Sequence, residues 1–134
     1  MEPIKNNEHY IYFESGLSPL NAILTEKKYS KIFVFADSNT AELCYPKLIQ
    51  NIPALASAPM IVTPAGEANK NLSACEEIWA KMLKVNADRK SVVLNLGGGV
   101  IGDMGGFVAA CYKRGIDFIQ LPTTVLSQVD SSIG

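Results

Sequence analysis

Histidine and cysteine, the side chains that hold most structural zinc ions, are scarce in this sequence of 134 residues. It contains one histidine, His9, and three cysteines, Cys44, Cys75 and Cys111, without a C-x-x-C pair. The chain alone therefore cannot build a zinc site on histidine ligands. The cysteines are odd in number, widely spaced and set in apolar helical contexts, which favours small buried hydrophobic residues over disulfides or metal ligands.

The sequence also has no excess of basic or acidic residues and no long apolar run. The 12 basic and 13 acidic side chains leave a net charge of -1 without a basic stripe, so no nucleic-acid partner is expected. No apolar run could span a bilayer, and the N-terminus lacks the apolar core of a secretory signal. We therefore expect no membrane partner and a cytoplasmic location. The hydrophobic content of 48% fits one globular domain.

Apolar runs of strand length alternate with segments of helical periodicity. Strands are predicted at residues 10–13, 31–36, 60–62, 92–96 and 117–121. Helices are predicted from residue 18, from residue 72 and after the glycines at 97–99. Residues 40–50 also have helical spacing, but Pro46 interrupts it, so this helix is either broken there or starts late. This alternation predicts an α/β fold, Rossmann-like, with a mainly parallel sheet and flanking helices.

The stretch SVVLNLGGGVIGDMGG, residues 91–106, is the most informative part of the chain. A buried strand, a glycine turn and a helix start are the usual layout of a phosphate-binding site. Glycine allows a ligand to approach the main chain, and the N–H groups at a helix start attract a pyrophosphate. The pattern Gly97-x-Gly99-x-x-Gly102 is a dinucleotide fingerprint, although a plain tight turn is an equal alternative for the pattern alone. At least two predicted strands precede it, unlike in an ordinary Rossmann domain.

Polar residues follow other predicted strands, where parallel sheets bind ligands. Asp37 and Asn39 follow the strand at 31–36, and helix capping and ligand contact are equally favoured there. Glu67 and Lys70 lie in a predicted loop and could also be a solvated pair near a helix start. The pair Thr123-Thr124 follows the last strand.

From Gly97 onward the sequence resembles the 3-dehydroquinate synthases. The motifs GGGVIGD, GFVAA, KRG and PTTVLSQVDSSIG stand in order at the spacing of that family, and the segments around Asp37 and Glu67 fit as well. The resemblance implies that residues 1–134 are an N-terminal α/β NAD-binding domain. The helical C-terminal domain of the family, with its metal ligands, has no counterpart within these residues, so we expect the chain alone to be inactive and to bind NAD weakly.

The resemblance also implies a reaction of the shikimate pathway, in which the sugar phosphate DAHP becomes 3-dehydroquinate and phosphate. In the family, NAD⁺ oxidises a substrate hydroxyl, phosphate leaves by β-elimination, and the hydride is returned before ring opening and aldol closure. A divalent metal, zinc or cobalt, polarises substrate oxygens. The resemblance further implies a homodimer of the complete enzyme.

Individual roles follow from the same resemblance. Cofactor contacts are implied for Asp37, Asn39, Glu67, Lys70, Gly98, Gly99, Val100, Asp103, Thr123, Thr124 and Asp130. Asp103 is expected in the first helical turn, where it accepts hydrogen bonds from ribose or backbone, because a carboxylate repels a pyrophosphate. Asp130 is implied to reach the substrate as well. Arg114 is implied to contact the substrate phosphate from the partner subunit.

Other functions stay open at this point. Sugar-phosphate cyclases that make inosose or valiolone products and metal-dependent polyol dehydrogenases share the glycine turn, although the ending QVDSSIG favours 3-dehydroquinate synthase. The remaining alternatives are a non-catalytic nucleotide-binding fragment and a plain structural α/β module.

Overall fold

The computed structural model describes residues 4–6, 9–11, 18–66, 68 and 70–121, with side chains from Leu20 onward. Strands and helices alternate through most of this range. In chain order they are β1 (Ile4–Asn6), β2 (His9–Ile11), α1 (Ser18–Lys27), β3 (Lys31–Asp37), α2 (Ser38–Leu43), α3 (Tyr45–Asn51), β4 (Met60–Thr63), α4 (Leu72–Lys84), β5 (Ser91–Leu96), α5 (Gly99–Cys111) and β6 (Asp117–Leu121). Short 3₁₀ turns at Pro53–Ser57 and Tyr112–Arg114 follow α3 and α5.

The six strands form one sheet in the order β1-β2-β6-β5-β3-β4. Only the edge pair β1–β2 is antiparallel, and the other neighbouring strands are parallel. This confirms the predicted α/β fold with a mainly parallel sheet. The strand predicted at residues 10–13 corresponds to β2, which pairs with a further strand, β1, that was not predicted. Residues 12 and 13 lie outside the described part. The arm at Ile4–Asn6 has a polar sequence, so no apolar run revealed it.

The side chains of each central strand alternate between the two faces of the sheet. Val34 and Ala36 of β3 pack with α1 and α3, whereas Phe33 and Phe35 pack with α4 and α5. All six residues of β5 are buried. Because strands covered on both faces need apolar residues throughout, they produce the continuous runs seen in the sequence. Fully burying a side chain such as Phe35 stabilises the fold by about 2–3 kcal/mol.

The helical segment predicted over residues 40–50 is two helices that meet at Cys44. Pro46 lies in the first turn of α3, where its missing N–H costs no hydrogen bond, so the predicted break is confirmed. α2 begins earlier than predicted, at Ser38, because Asp37 caps it directly after β3. None of the helices in the described part of the chain is long and apolar enough to cross a membrane.

The helices α4 and α5 lie side by side on one face of the sheet. The indole N–H of Trp79 on α4 donates a 3.0 Å hydrogen bond to the Val108 carbonyl on α5, and its ring lies 6.0 Å from that of Phe107. This contact fixes α5, whose N-terminus faces the glycine turn, against its neighbour.

Candidate functional site

The candidate site lies at the carboxyl edge of the sheet. We use this term for the edge at which Asp37, Thr63, Leu96 and Leu121 end strands β3, β4, β5 and β6. The strand register aligns these ends, with Asp37 opposite Thr63 and Leu96 opposite Leu121. The glycine turn follows Leu96 at the centre of this edge, and its Gly97 N–H donates to the Leu121 carbonyl at 3.1 Å.

The N-terminus of α5 is open. Gly98 occupies the N-cap position and has no side chain that could cap the helix. The first hydrogen bond within the helix runs from the Gly102 N–H to the Gly98 carbonyl at 2.9 Å. The N–H groups of the first helical turn have no acceptor within the helix. Apart from its chain neighbours and the backbone of α5, a Cβ placed on Gly98 or Gly99 would meet no atom of the described residues within 4 Å. These two glycines therefore leave space in front of a positively polarised helix end, which suits an anionic ligand.

Asp37 has its carboxylate fixed by the start of α2. Its Oδ1 accepts hydrogen bonds from the N–H groups of Asn39 and Thr40, both at 2.8 Å, and the Asp37 N–H donates to the Thr40 hydroxyl at 3.0 Å. Capping, one of the two interpretations of this segment, is thus confirmed. The same contacts orient the carboxylate at the carboxyl edge, beside the exposed Asn39.

Lys70 and Asp103 form an ion pair across the site. Lys70 Nζ lies 2.9 Å from Asp103 Oδ2, which joins the segment before α4 to α5. The structure corrects the predicted position of Asp103, because α5 begins at Gly99 and has no acidic residue in its first turn. Asp103 therefore lies in the second turn. The ammonium of Lys70 offsets the negative charge that this carboxylate would bring near a bound anion.

Arg114 lies at the opposite edge of the sheet. It follows α5 and lines an open concavity of about 650 Å³ together with Lys113 and the turn Asp88–Lys90 that precedes β5. Since β5 has six residues, about 20 Å of strand separate this concavity from the glycine turn. Arg114 therefore cannot meet a ligand at the glycine turn of its own chain.

The backbone around Arg114 is held in an uncommon conformation. Lys113, Arg114 and Gly115 have consecutive positive φ angles of 45°, 73° and 109°. Non-glycine residues rarely adopt such angles, and they persist where surrounding contacts fix them. Nearby, hydrogen bonds from the Ser30 hydroxyl and the Lys90 N–H hold the pKa of Asp88 below its ordinary value, so its carboxylate stays charged beside these cations.

Four predicted site residues, Glu67, Thr123, Thr124 and Asp130, lie outside the described residues. Among the others, Asp37, Asn39, Lys70, Gly98, Gly99, Val100 and Asp103 belong to segments at the carboxyl edge or on the α5 helix that starts there. Arg114 is the one described site residue at the far edge.

The cysteines show no sign of a reactive or metal-binding site. Burial raises the pKa of the Cys44 and Cys75 thiols, which keeps both neutral. Cys111 is exposed, contrary to the prediction that all three are buried, because it ends α5 on its outer side. Over the described ranges, no group of three or more His, Cys, Asp or Glu side chains could hold a metal ion. These residues therefore do not fit a metal.

Sequence reasoning missed two amide side chains beneath α5. Asn95 is fully buried in β5, and Gln120 lies opposite it on β6. The available signal was an asparagine in the apolar run that forms the buried strand, followed by glycines in the next helix.

Comparison with known proteins adds the family. The family model described as "3-dehydroquinate synthase N-terminal" matches residues 60–134. The chain belongs to this family. It is 44% identical over 117 residues to a 3-dehydroquinate synthase of Parabacteroides distasonis, covering 87% of this chain and 33% of the relative. It is 41% identical over 132 residues to one of Nitrosococcus oceani, covering 98% and 36%. The chain thus spans about a third of the length of these relatives.

Solved structures share the fold at lower identity. A 2-deoxy-scyllo-inosose synthase complexed with carbaglucose-6-phosphate, NAD⁺ and Co²⁺ matches with a TM-score of 0.70 at 22% identity, covering 86% of this chain and 32% of that one. The 2-epi-5-epi-valiolone synthase ValA of Streptomyces hygroscopicus subsp. jinggangensis, with NAD⁺ and Zn²⁺ bound, matches with a TM-score of 0.67 at 20% identity, covering 92% and 34%. These likenesses support the Rossmann-like architecture.

Proposed function

We propose that this chain is the NAD-binding part of a 3-dehydroquinate synthase, which converts DAHP into 3-dehydroquinate and phosphate. The open N-terminus of α5 behind Gly98 and Gly99 is the observation that carries the proposal. Family membership supports this activity over that of the related cyclases and polyol dehydrogenases. Since relatives are about three times longer, we expect residues 1–134 alone to bind NAD weakly and to be inactive.

In this proposal the glycine turn holds the pyrophosphate of NAD. The N–H groups of Gly99 and Val100 donate to it, and the dipole of the 13-residue helix α5 favours its charge. The fixed carboxylate of Asp37 and the amide of Asn39 bind the ribose hydroxyls of the adenosine end. When bound, NAD⁺ supplies reversible hydride transfer, and the side chains of this chain bind and orient it.

The remaining assignments are expectations from the family resemblance. Glu67, Thr123 and Thr124 line the cofactor, and Asp130 reaches both the nicotinamide ribose and a substrate hydroxyl. The divalent metal of the complete enzyme, zinc or cobalt, is expected to take its ligands from residues outside this chain. A cytoplasmic location also remains a proposal.

Arg114 binds the substrate phosphate of a second subunit in this proposal. Its guanidinium offers paired N–H donors to a phosphate. Its place at the edge opposite the glycine turn supports a role in trans, because the two sites of one chain are separated by the length of β5. A homodimer is therefore part of the proposed function.

The direct test is phosphate release from DAHP by the full-length protein with NAD⁺ and zinc or cobalt. We expect release that stops when NAD⁺ is omitted and resumes when it is returned, since the cofactor ends the cycle unchanged. Isothermal titration with NAD⁺ should show one site per chain. The proposal would be contradicted if the folded, metal-loaded protein neither released phosphate from DAHP nor bound NAD⁺.

Replacing Asp103 by asparagine should weaken NAD⁺ binding with little effect on stability. An exposed ion pair contributes at most about 1 kcal/mol, so the thermal midpoint should stay close to that of the parent protein. The NAD⁺ affinity should fall by about tenfold because a neutral amide accepts hydrogen bonds from the ribose hydroxyls more weakly than the Asp103 carboxylate does and no longer fixes Lys70.

The matched control is Glu77→Gln, which removes an exposed carboxylate from the neighbouring helix α4. It should change neither the midpoint nor the affinity. If Asp103→Asn lowered the midpoint and left NAD⁺ affinity unchanged, the ion pair would be a structural contact only.

A further inference from the structure

The face of β5 beneath α5 contains an unusual polar residue. Asn95 is 0% exposed, and neither its Oδ1 nor its Nδ2 has a hydrogen-bond partner in the described part of the chain. An amide buried without partners is unfavourable, and an apolar residue of similar size would avoid this cost. Hydrogen bonding therefore does not explain why asparagine occupies position 95, and its packing gives another reason.

That reason lies on the helix above. A Cβ placed on Gly105 would overlap the Asn95 amide, whose Nδ2 would be only 2.6 Å away. The Asn95 side chain thus fills the volume that any other residue at position 105 would need. Gly105 lets α5 lie closer to β5 than an alanine would allow.

Gln120 repeats the arrangement on the neighbouring strand. It lies opposite Asn95 in the register of β5 and β6, and its Nε2 donates to the Gly102 carbonyl of α5 at 3.2 Å. A Cβ on Gly102 would lie 3.1 Å from its Oε1. Two amides on adjacent strands therefore support two glycines of α5, one in its second turn and one at its middle.

We propose that Asn95 and Gly105 are a coupled positioning pair that sets the height of α5 over the sheet and thereby the place of its open N-terminus. A helix moves as a rigid body, so a shift at Gly105 also displaces the N–H groups of Gly99 and Val100. The part of this inference that concerns NAD rests on the proposed function. The inference that Asn95 and Gly105 set the height of α5 rests only on the overlap between the Asn95 side chain and a Cβ at position 105.

The test uses four variants of the full-length protein: Gly105→Ala, Asn95→Ala, the double variant with both changes, and Gly106→Ala as a control. Gly106 is the matched control because a Cβ there would lie 3.4 Å from the Phe118 ring, an ordinary contact. Both glycine-to-alanine changes gain the same helix propensity, so they differ only in the overlap with Asn95. For each variant the thermal midpoint and the NAD⁺ dissociation constant are measured.

We expect Gly106→Ala to retain the parent NAD⁺ affinity and to keep or raise the thermal midpoint, because alanine has a higher helix propensity than glycine. Gly105→Ala should lower the midpoint and weaken NAD⁺ binding by about tenfold or more, because α5 must move away from β5. Asn95→Ala should weaken binding less. The double variant should recover both quantities, since the shorter side chain at position 95 makes room for the new methyl group.

Two results would overturn the proposal. A double variant no better than Gly105→Ala would exclude coupling between the two positions. A lowered midpoint with unchanged NAD⁺ affinity of the folded Gly105→Ala protein would reduce the pair to a packing contact. A parent protein that binds no NAD⁺ would instead contradict the proposed function, and the recovery of the midpoint in the double variant would then decide the coupling.

Discussion

Replacing Gly99 by valine is expected to abolish NAD⁺ binding by the full-length protein while its fold survives. A Cβ at this position would meet no atom of the described residues within 4 Å beyond its chain neighbours and the α5 backbone, so this part of the chain accommodates a side chain there. Valine is also a better helix former than glycine, so the first turn of α5 loses no intrinsic stability. The branched side chain would project into the space in front of the helix N-terminus, where the pyrophosphate is proposed to bind.

The expected loss of NAD⁺ affinity is about 100-fold or more, equivalent to about 2.7 kcal/mol, because the anion loses close approach to several N–H donors at once. Titration calorimetry measures the affinity, and circular dichroism measures the thermal midpoint. Ala110→Val is the matched control, since it adds the same branched side chain to an exposed position near the other end of α5. Equal affinities for Gly99→Val and the control would contradict the assignment of the turn as a pyrophosphate site.

The central part of the fold could be predicted from the sequence because burial on both faces determines residue choice directly. Strands β3 and β5 are covered by helices on both sides, so their apolar runs stand out from the polar segments around them. Asp117–Leu121 was predicted with both ends correct, since a glycine before it and a proline after it limit the strand. The break at Pro46 follows from the missing N–H of proline.

The edges of the fold could not be predicted in the same way. The strands of the β1–β2 hairpin are short and mostly polar. They join the sheet because β2 pairs with β6, a contact between distant segments that the local sequence does not reveal. The start of α2 was predicted late because the apolar helical spacing begins only at Ala41, whereas the hydrogen bonds of Asp37 that begin the helix are visible only in the structure.

The candidate site shows a similar division. The glycine turn was predicted because strand, turn and helix are adjacent in sequence. The ion pair between Lys70 and Asp103 joins residues 33 positions apart, and its geometry depends on how α4 and α5 pack. The overlap of Asn95 with the Cβ position of Gly105 likewise appears only when the helix is placed on the strand. Contacts between elements therefore required the structure.

Mixing two inactive variants is expected to restore activity if Arg114 acts on the partner subunit. Arg114→Ala should lose phosphate release from DAHP while NAD⁺ binding is retained, because this side chain lies at the edge of the sheet far from the glycine turn. Gly99→Val should be inactive through the loss of NAD⁺. In a mixed dimer, the subunit with alanine at position 114 keeps an intact glycine turn, and its partner supplies an intact arginine. One complete site is formed per mixed dimer.

Random reassociation of equal amounts gives one half mixed dimers, each with one working site, so about one quarter of the parent activity should return. Activity is measured as phosphate release after the two proteins are mixed, reversibly dissociated and reassembled, with each variant treated alone as a control. An arginine acting within its own subunit would leave both sites of every mixed dimer incomplete, and no activity would return. The experiment therefore separates action in trans from action in cis, since a structural role of Arg114 at the end of α5 would not be rescued by an intact copy in the other chain.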